Sequence, residues 1–193
     1  AKEFIKSDTP IAFTTGDGSR RSAPGMISTA LMAASSGKGW TSVTIPYRGG
    51  GLAMTLVLPD AGSFGAVRAE LPRVLQVANS ATTQSAVALA MPTFKAQAHL
   101  SLVPAMKALG VTNIFQPNAD LSGIAGGPGY LMATELVHQA VITVDEKGTE
   151  AAAATALIAV ATSGFADTRK MTVDRPFFFS VHDTVTGAPL FLG

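Results

Sequence analysis

Val137-His138-Gln139-Ala140-Val141-Ile142-Thr143-Val144-Asp145-Glu146-Lys147-Gly148-Thr149-Glu150-Ala151-Ala152-Ala153-Ala154-Thr155 is the stretch on which the reading of this chain turns. Its first eight residues are largely β-branched and read as a strand. Its last part holds four consecutive alanines, which favour helix. Local propensity and context therefore disagree, as they do at functional sites. As a strand, the segment would place Lys147, Thr149, Ala151, Ala153 and Thr155 on one face, and Glu150, Ala152 and Ala154 on the other. A face of small side chains can slide between two existing strands while Glu150 points to solvent. A plain Ala-rich helix or linker fits the same residues.

Around this segment the chain reads as strands and turns. Asp17-Gly18 and Gly49-Gly50-Gly51 are hairpin signals. The second separates two strand-like runs, Val43 to Pro46 and Leu52 to Leu58. Phe64, Val67, Leu71 and Leu75 have helical spacing across Phe64 to Val77, which Pro72 weakens. Ala86 to Met91 reads as a strand, and Leu100 to Leu109 as a short helix stopped by Gly110. Ala119 to Gly129 is a Gly-rich loop. Phe177 to Val181 and Leu190 to Leu192 are strands about a Thr186-Gly187 turn. The expectation is α+β, mixed and mostly β, with continuous apolar strands in sheets buried on both faces.

Bulk properties narrow the function classes. The chain has 193 residues, 47% of them apolar and 14% charged, which is globular and not disordered composition. A net charge of +1 supplies no global field for nucleic acid or an anionic membrane. There is no cysteine, hence no disulfide, thiol nucleophile or Cys-based zinc site. No apolar run approaches the ~20 residues that span a bilayer; the longest, Ala151 to Ala161, is interrupted by Thr155. The start, Ala1-Lys2-Glu3-Phe4, shows neither an initiator Met nor a signal pattern, and the end, Pro189 to Gly193, falls within an apolar run. Both ends read as cut. No cofactor is expected.

Read together, several stretches resemble the serpin family. The quoted stretch is similar to its signature, where a strand of the central sheet A runs into the hinge of the reactive loop. Asn118-Ala119-Asp120-Leu121-Ser122-Gly123-Ile124 resembles another serpin stretch. So do Asp174-Arg175-Pro176-Phe177-Phe178-Phe179 and Thr186-Gly187-Ala188-Pro189-Leu190-Phe191-Leu192-Gly193, and the hairpin from Pro46-Tyr47-Arg48-Gly49 to Met54-Thr55-Leu56-Val57-Leu58-Pro59. The resemblance runs the length of the chain and implies the C-terminal half of a serpin of prokaryotic origin. Parts of sheets A, B and C and a reactive loop at about 147–169 would lie in this one partial domain, residues 1–193.

Several expectations follow from that resemblance. The protein would be a serine protease inhibitor and not an enzyme, acting by loop cleavage, acyl-enzyme trapping and loop insertion into sheet A. The alternative is a non-inhibitory serpin, a binding or chaperone-like module. The hinge would comprise Glu146, Gly148, Thr149, Glu150, Ala151, Ala152, Ala153, Ala154 and Thr155. Family spacing puts the scissile bond at Thr162-Ser163, with one-residue slips and Phe165 as rivals. A small β-branched residue there suits an elastase-like or subtilisin-like target; a trypsin-like enzyme would want a base, and Arg169-Lys170 lies too far along. His138 would be the shutter histidine. Glu146 would be the breach acid, although Thr93 stands where its basic partner is found, with Lys95 a poor substitute. The resemblance also implies an extracellular or periplasmic protein, monomeric at full length, without nucleic-acid or membrane partners. This part alone is expected not to inhibit and to expose apolar sheet edges that aggregate.

Two other patterns carry less. Ala61-Gly62-Ser63-Phe64-Gly65 imitates a nucleophile elbow, but Ser63 would need a histidine and an acid, and only His99, His138 and His182 exist. These three are too scattered for a zinc signature, so no metal is expected. Gly123 to Gly129 lacks the Lys and Ser/Thr of a phosphate loop.

Overall fold

Tight turns and β-branched runs build most of the chain. In a computed structural model, residues 4–147 and 168–193 are described. The elements begin with β1 (Ile5–Lys6), β2 (Ile11–Thr14), β3 (Arg20–Ala23), β4 (Gly25–Gly37), β5 (Trp40–Pro46) and β6 (Leu52–Pro59). Helices α1 (Phe64–Ala69) and α2 (Leu71–Asn79) precede β7 (Gln84–Pro92) and β8 (Phe94–Ser101). Then come α3 (Val103–Ala108), a 3-10 turn at Asn113–Phe115, β9 (Val137–Val144), β10 (Thr168–Thr172), β11 (Phe178–Asp183) and β12 (Pro189–Leu192). The chain forms two compact units, Ala1–Phe94 with Thr143–Gly193, and Lys95–Ile142.

The first unit is organised on strands in the order β10-β7-β4-β5-β6-β11-β12, with β1 also paired to β4. All these neighbours run antiparallel except β10 and β7. Strand β4 joins two sheets into this one path. Gly25 to Ala33 pair with β7, Ala33 to Gly37 pair with β5, and Ala33 alone has both partners. Seven of the eight β6 residues are buried, as are Phe178 to His182 of β11. Those strands are covered on both faces, as their unbroken apolar runs imply.

The helices close one face. Val67, Val74, Leu75 and Ala78 meet Trp40, Val57 and Phe178 in a single buried cluster. The Phe64 ring stacks on Phe178 with centroids 4.7 Å apart. Phe64 to Val77 is two helices, not the single one that spacing suggests. The break falls at Glu70, and Pro72 sits at the start of α2, where its missing N–H costs nothing. Between β4 and β5, a Cβ on Gly37 would come within 2.7 Å of the Trp40 ring, and Gly39 has φ +80°. Glycine is needed at both places, for space and for backbone conformation respectively.

The β2–β3 hairpin is closed by polar groups. The Asp17 carboxylate accepts from the Thr15 hydroxyl and from the Ser19 amide at 3.0 Å, and Gly18 turns the chain at φ +83°. The Thr15 hydroxyl, then the Ser19 amide, hold the Asp17 carboxyl down at about 2. Its folded value lies below its unfolded one, so its stabilising contribution is present above the ordinary carboxylate range. That contribution fades as pH falls from about 4 to about 2. Unfolding titrations should therefore show stability declining across this window, and Asp17→Asn should flatten that part of the profile.

In the second unit, α3 ends where Gly110 takes φ +88° and Val111 N–H bonds the Met106 carbonyl. The helix starts three residues later than Leu100, because Leu100 and Ser101 complete β8 and Leu102 N–H bonds the Leu136 carbonyl at 2.8 Å. The Gly-rich loop is tied by Gly129 N–H to the Ala119 carbonyl and by Ala133 N–H to the Ile114 carbonyl, both 2.8 Å.

Candidate functional site

The candidate site is where β9 leaves its sheet and β10 receives the chain again. Strands β8 and β9 form a two-stranded sheet. The Gln139 amide meets His99 Nδ1 at 2.9 Å, and Leu102 meets Leu136 across it. Residue numbers in both contacts have the same sum, so the strands run antiparallel. Along β9 burial alternates towards the C-terminal end: Ile142 and Val144 are buried while Val141 and Thr143 are exposed. At the end of the strand the Asp145 carboxylate accepts from Lys147 N–H at 2.9 Å in a local turn.

Each expected residue has a definite outcome. Glu146 is half-buried and makes no ion pair among the described residues. Hinge residues Gly148 to Thr155 and the bond Thr162-Ser163 lie outside the described residues. His138 shares a face with Ile142 and Val144, but it is exposed and has no hydrogen-bond partner among the described residues. The chain re-enters at Thr168, so Thr168 and Arg169 belong to β10.

The tethers just beyond β10 were not anticipated. Val173 N–H bonds the Ala90 carbonyl at 2.8 Å, and the Asp174 carbonyl accepts from Thr14 N–H at 2.7 Å. Arg175 Nε donates to the Pro59 carbonyl at 2.8 Å, while its other nitrogen holds Asp174 at 2.7 Å. The available signal was Asp174-Arg175-Pro176 itself, a charged pair before a proline that cannot continue a ladder.

The hydrolase-like pattern is not assembled. Ser63 is the residue before α1, and both ring nitrogens of His182 are engaged, Nε2 with Thr55 Oγ1 at 3.0 Å and Nδ1 with the Asp183 carbonyl at 3.3 Å. Thr55 in turn meets Thr44 at 2.9 Å. Asp183 is itself held below the usual carboxylate range, first by the Thr186 amide and then by the Thr186 hydroxyl. No group of three potential metal ligands occurs among the described residues, and no described helix is long and apolar enough to cross a membrane.

The family model for "Serpin (serine protease inhibitor)" matches residues 1–193. The chain belongs to the serpin family. Among curated serpin relatives it is 36% identical over 157 residues to "Iris" of Ixodes ricinus, covering 79% of this chain and 41% of that protein. A relative from Rattus norvegicus, named as a serine protease inhibitor, is 38% identical over 154 residues, covering 79% and 36%. The serpin fold itself aligns with a structure described as a "thyroxine-binding globulin complex with thyroxine" at TM-score 0.79 and 25% identity, covering 100% of this chain and 52% of that one. The chain thus spans about half or less of these serpins. Tick and rat relatives lend no support to the prokaryotic source that the sequence suggested.

Proposed function

We propose that this serpin chain carries the reactive loop of a serine protease inhibitor that acts once and is consumed. The observation supporting this is the hinge composition, Gly148-Thr149-Glu150-Ala151-Ala152-Ala153-Ala154-Thr155, between the end of β9 and the start of β10. A target protease attacks the loop through its serine and forms an acyl-enzyme. Before water releases it, the cut loop joins sheet A beside β9, a case of strand addition that relieves stored strain. Insertion adds on the order of ten ladder hydrogen bonds at about 1 kcal/mol net each, sufficient to distort an active site. Cleavage at Thr162-Ser163 directs the inhibitor to elastase-like or subtilisin-like enzymes, acting outside the cell or in the periplasm.

The test is incubation of the full-length protein with an elastase or a subtilisin, followed by denaturing electrophoresis. A covalent complex stable in SDS is expected. Cleavage near Ser163 without any such complex would refute the reading.

One observation favours a second reading, a non-inhibitory serpin that binds a small molecule. A cavity of about 640 Å³ lies between α2 and the β11–β12 hairpin, walled by Leu71, Leu75, Val185 and Leu192. Two of its lining residues, Ser180 and Asn79, hold buried oxygens without a partner among the described residues, and an amphipathic ligand could satisfy them. A serpin that fails to gain heat stability after loop cleavage would favour this alternative.

A further inference from the structure

Strand β3 is an edge that carries two adjacent arginines. On one side of β2, Thr14 N–H bonds the Asp174 carbonyl at 2.7 Å; β3 lies on the other side. Among the described residues β3 pairs with β2 alone. None of Arg20, Arg21, Ser22 and Ala23 is buried. The register fixes which backbone groups are left over. In an antiparallel pair, residues that exchange hydrogen bonds alternate with residues that do not. Thr15 N–H bonds the Ser19 carbonyl at 2.8 Å, so the bonded pairs further along are Phe13 with Arg21 and Ile11 with Ala23. The bond from Thr14 to Asp174, pointing away from β3, agrees with that phase. Arg20 and Ser22 therefore turn their N–H and C=O groups away from β2. Such an edge is a template for a further strand.

The side chains decide what kind of strand fits. Arg20 shares a face with Ala12, Thr14 and Ser22, while Arg21 takes the other face with Phe13. Neither arginine has an ion pair among the described residues. The one carboxylate within the hairpin, Asp17, is engaged by Thr15 and Ser19 in the turn. A shallow groove of about 320 Å³ is lined by Pro10, Ala12, Arg20, Arg21 and Ser22, with no acidic residue among them. A polyanion without a peptide backbone would answer the two charges and leave the edge unpaired. An acidic peptide answers both.

We propose that β3 is a docking edge for an acidic segment of another protein, which adds to it as an extended strand. Consecutive arginines project to opposite faces, so they fit two consecutive carboxylates, one on each face of the added strand. Directly opposed side chains stand about 5 Å apart at their Cβ atoms, within reach of an ion pair. The backbone of the segment takes up the outward groups of Arg20 and Ser22. The site uses no part of the reactive loop, and it does not depend on the inhibitory reading.

The experiment follows the anisotropy of a short fluorescein-labelled peptide, a central Glu-Asp pair flanked by Thr and Val, as full-length protein is added. Saturable binding is expected. Arg20→Ser combined with Arg21→Ser should weaken it about tenfold, the product of two exposed ion pairs. That double variant should keep the wild-type unfolding midpoint, because β3 buries none of its side chains. A peptide with Gln-Asn in place of Glu-Asp should lose about as much on the wild-type protein. The acidic peptide methylated on its backbone nitrogens keeps both carboxylates but cannot complete a ladder, and it too should bind about tenfold more weakly. No saturable binding, equal binding by the double variant, or equal binding of the methylated peptide overturns the proposal. Displacement by heparin, with the methylated peptide binding unchanged, means that the arginines read charge alone and rejects strand addition. Should the double variant shift its midpoint, the two altered peptides decide the outcome on the wild-type protein.

Discussion

Arginine in place of Thr149 should turn the proposed inhibitor into a substrate. As an inserted strand the segment would put Thr149 on one face with Ala151, Ala153 and Thr155, and under the proposed mechanism that face would pack into the sheet. An arginine there would take a charge into an interior with no partner, at a cost of several kcal/mol. If about 3 kcal/mol of that cost appears in the insertion step, insertion slows by about a hundredfold. Hydrolysis of the acyl-enzyme then overtakes trapping, and the protease leaves active. The ratio of cleaved to complexed inhibitor on a denaturing gel reads the outcome directly. Glu150→Arg is the control: position 150 lies on the opposite face, where a charge already stands, so the ratio should move little. Equal trapping by Thr149→Arg and wild type would remove the hinge from its assigned place.

The largest effect on stability is expected at Phe178. Its ring stacks on Phe64 and closes the cluster that holds α1 and α2 to the sheet through Trp40, Val57 and Val67. Phe178→Ala removes the ring from a site that helices and sheet share, so neither side can collapse to fill it. A loss of about 3–5 kcal/mol follows from comparable buried truncations. Trp40 is the only tryptophan and belongs to the same cluster, so its fluorescence reports the transition in a denaturant titration. A midpoint shift corresponding to less than about 1 kcal/mol would mean that the helices are held elsewhere.

The elements legible in advance are those whose signals are local. Val137 to Val144 is a strand over the expected residues, because β-branched side chains prefer the pleat whatever their neighbours. The Asp17-Gly18 and Gly49-to-Gly51 turns close hairpins, because positive φ at Gly18, Gly49 and Gly50 is a property of glycine itself. Other features depend on partners remote in sequence. Pro72 reads as a weakness inside one helix, whereas the packing of α1 and α2 on Trp40 uses it to begin a second. Nothing local in Gly25 to Gly37 reveals a strand that changes partners at Ala33. The exposure of His138 was equally hidden, since alternation gives its face but not what covers it.

By itself the sequence determined the family, the mostly β character and the run of small residues from Gly148 to Thr155 on which the proposed mechanism rests. Those follow from residue types in order: Glu146 to Thr155 alone fits a helix as well as a strand, and only the other stretches read with it point to the family. Only the tertiary structure decided how the chain just after β10 is anchored. Thr14, Pro59, Ala90 and Arg175 are separated by up to 161 positions in the chain, yet they meet around residues 173–175. Backbone carbonyls and amides do most of the holding there. They are present at every residue, so no pattern of side chains announces which of them will be used.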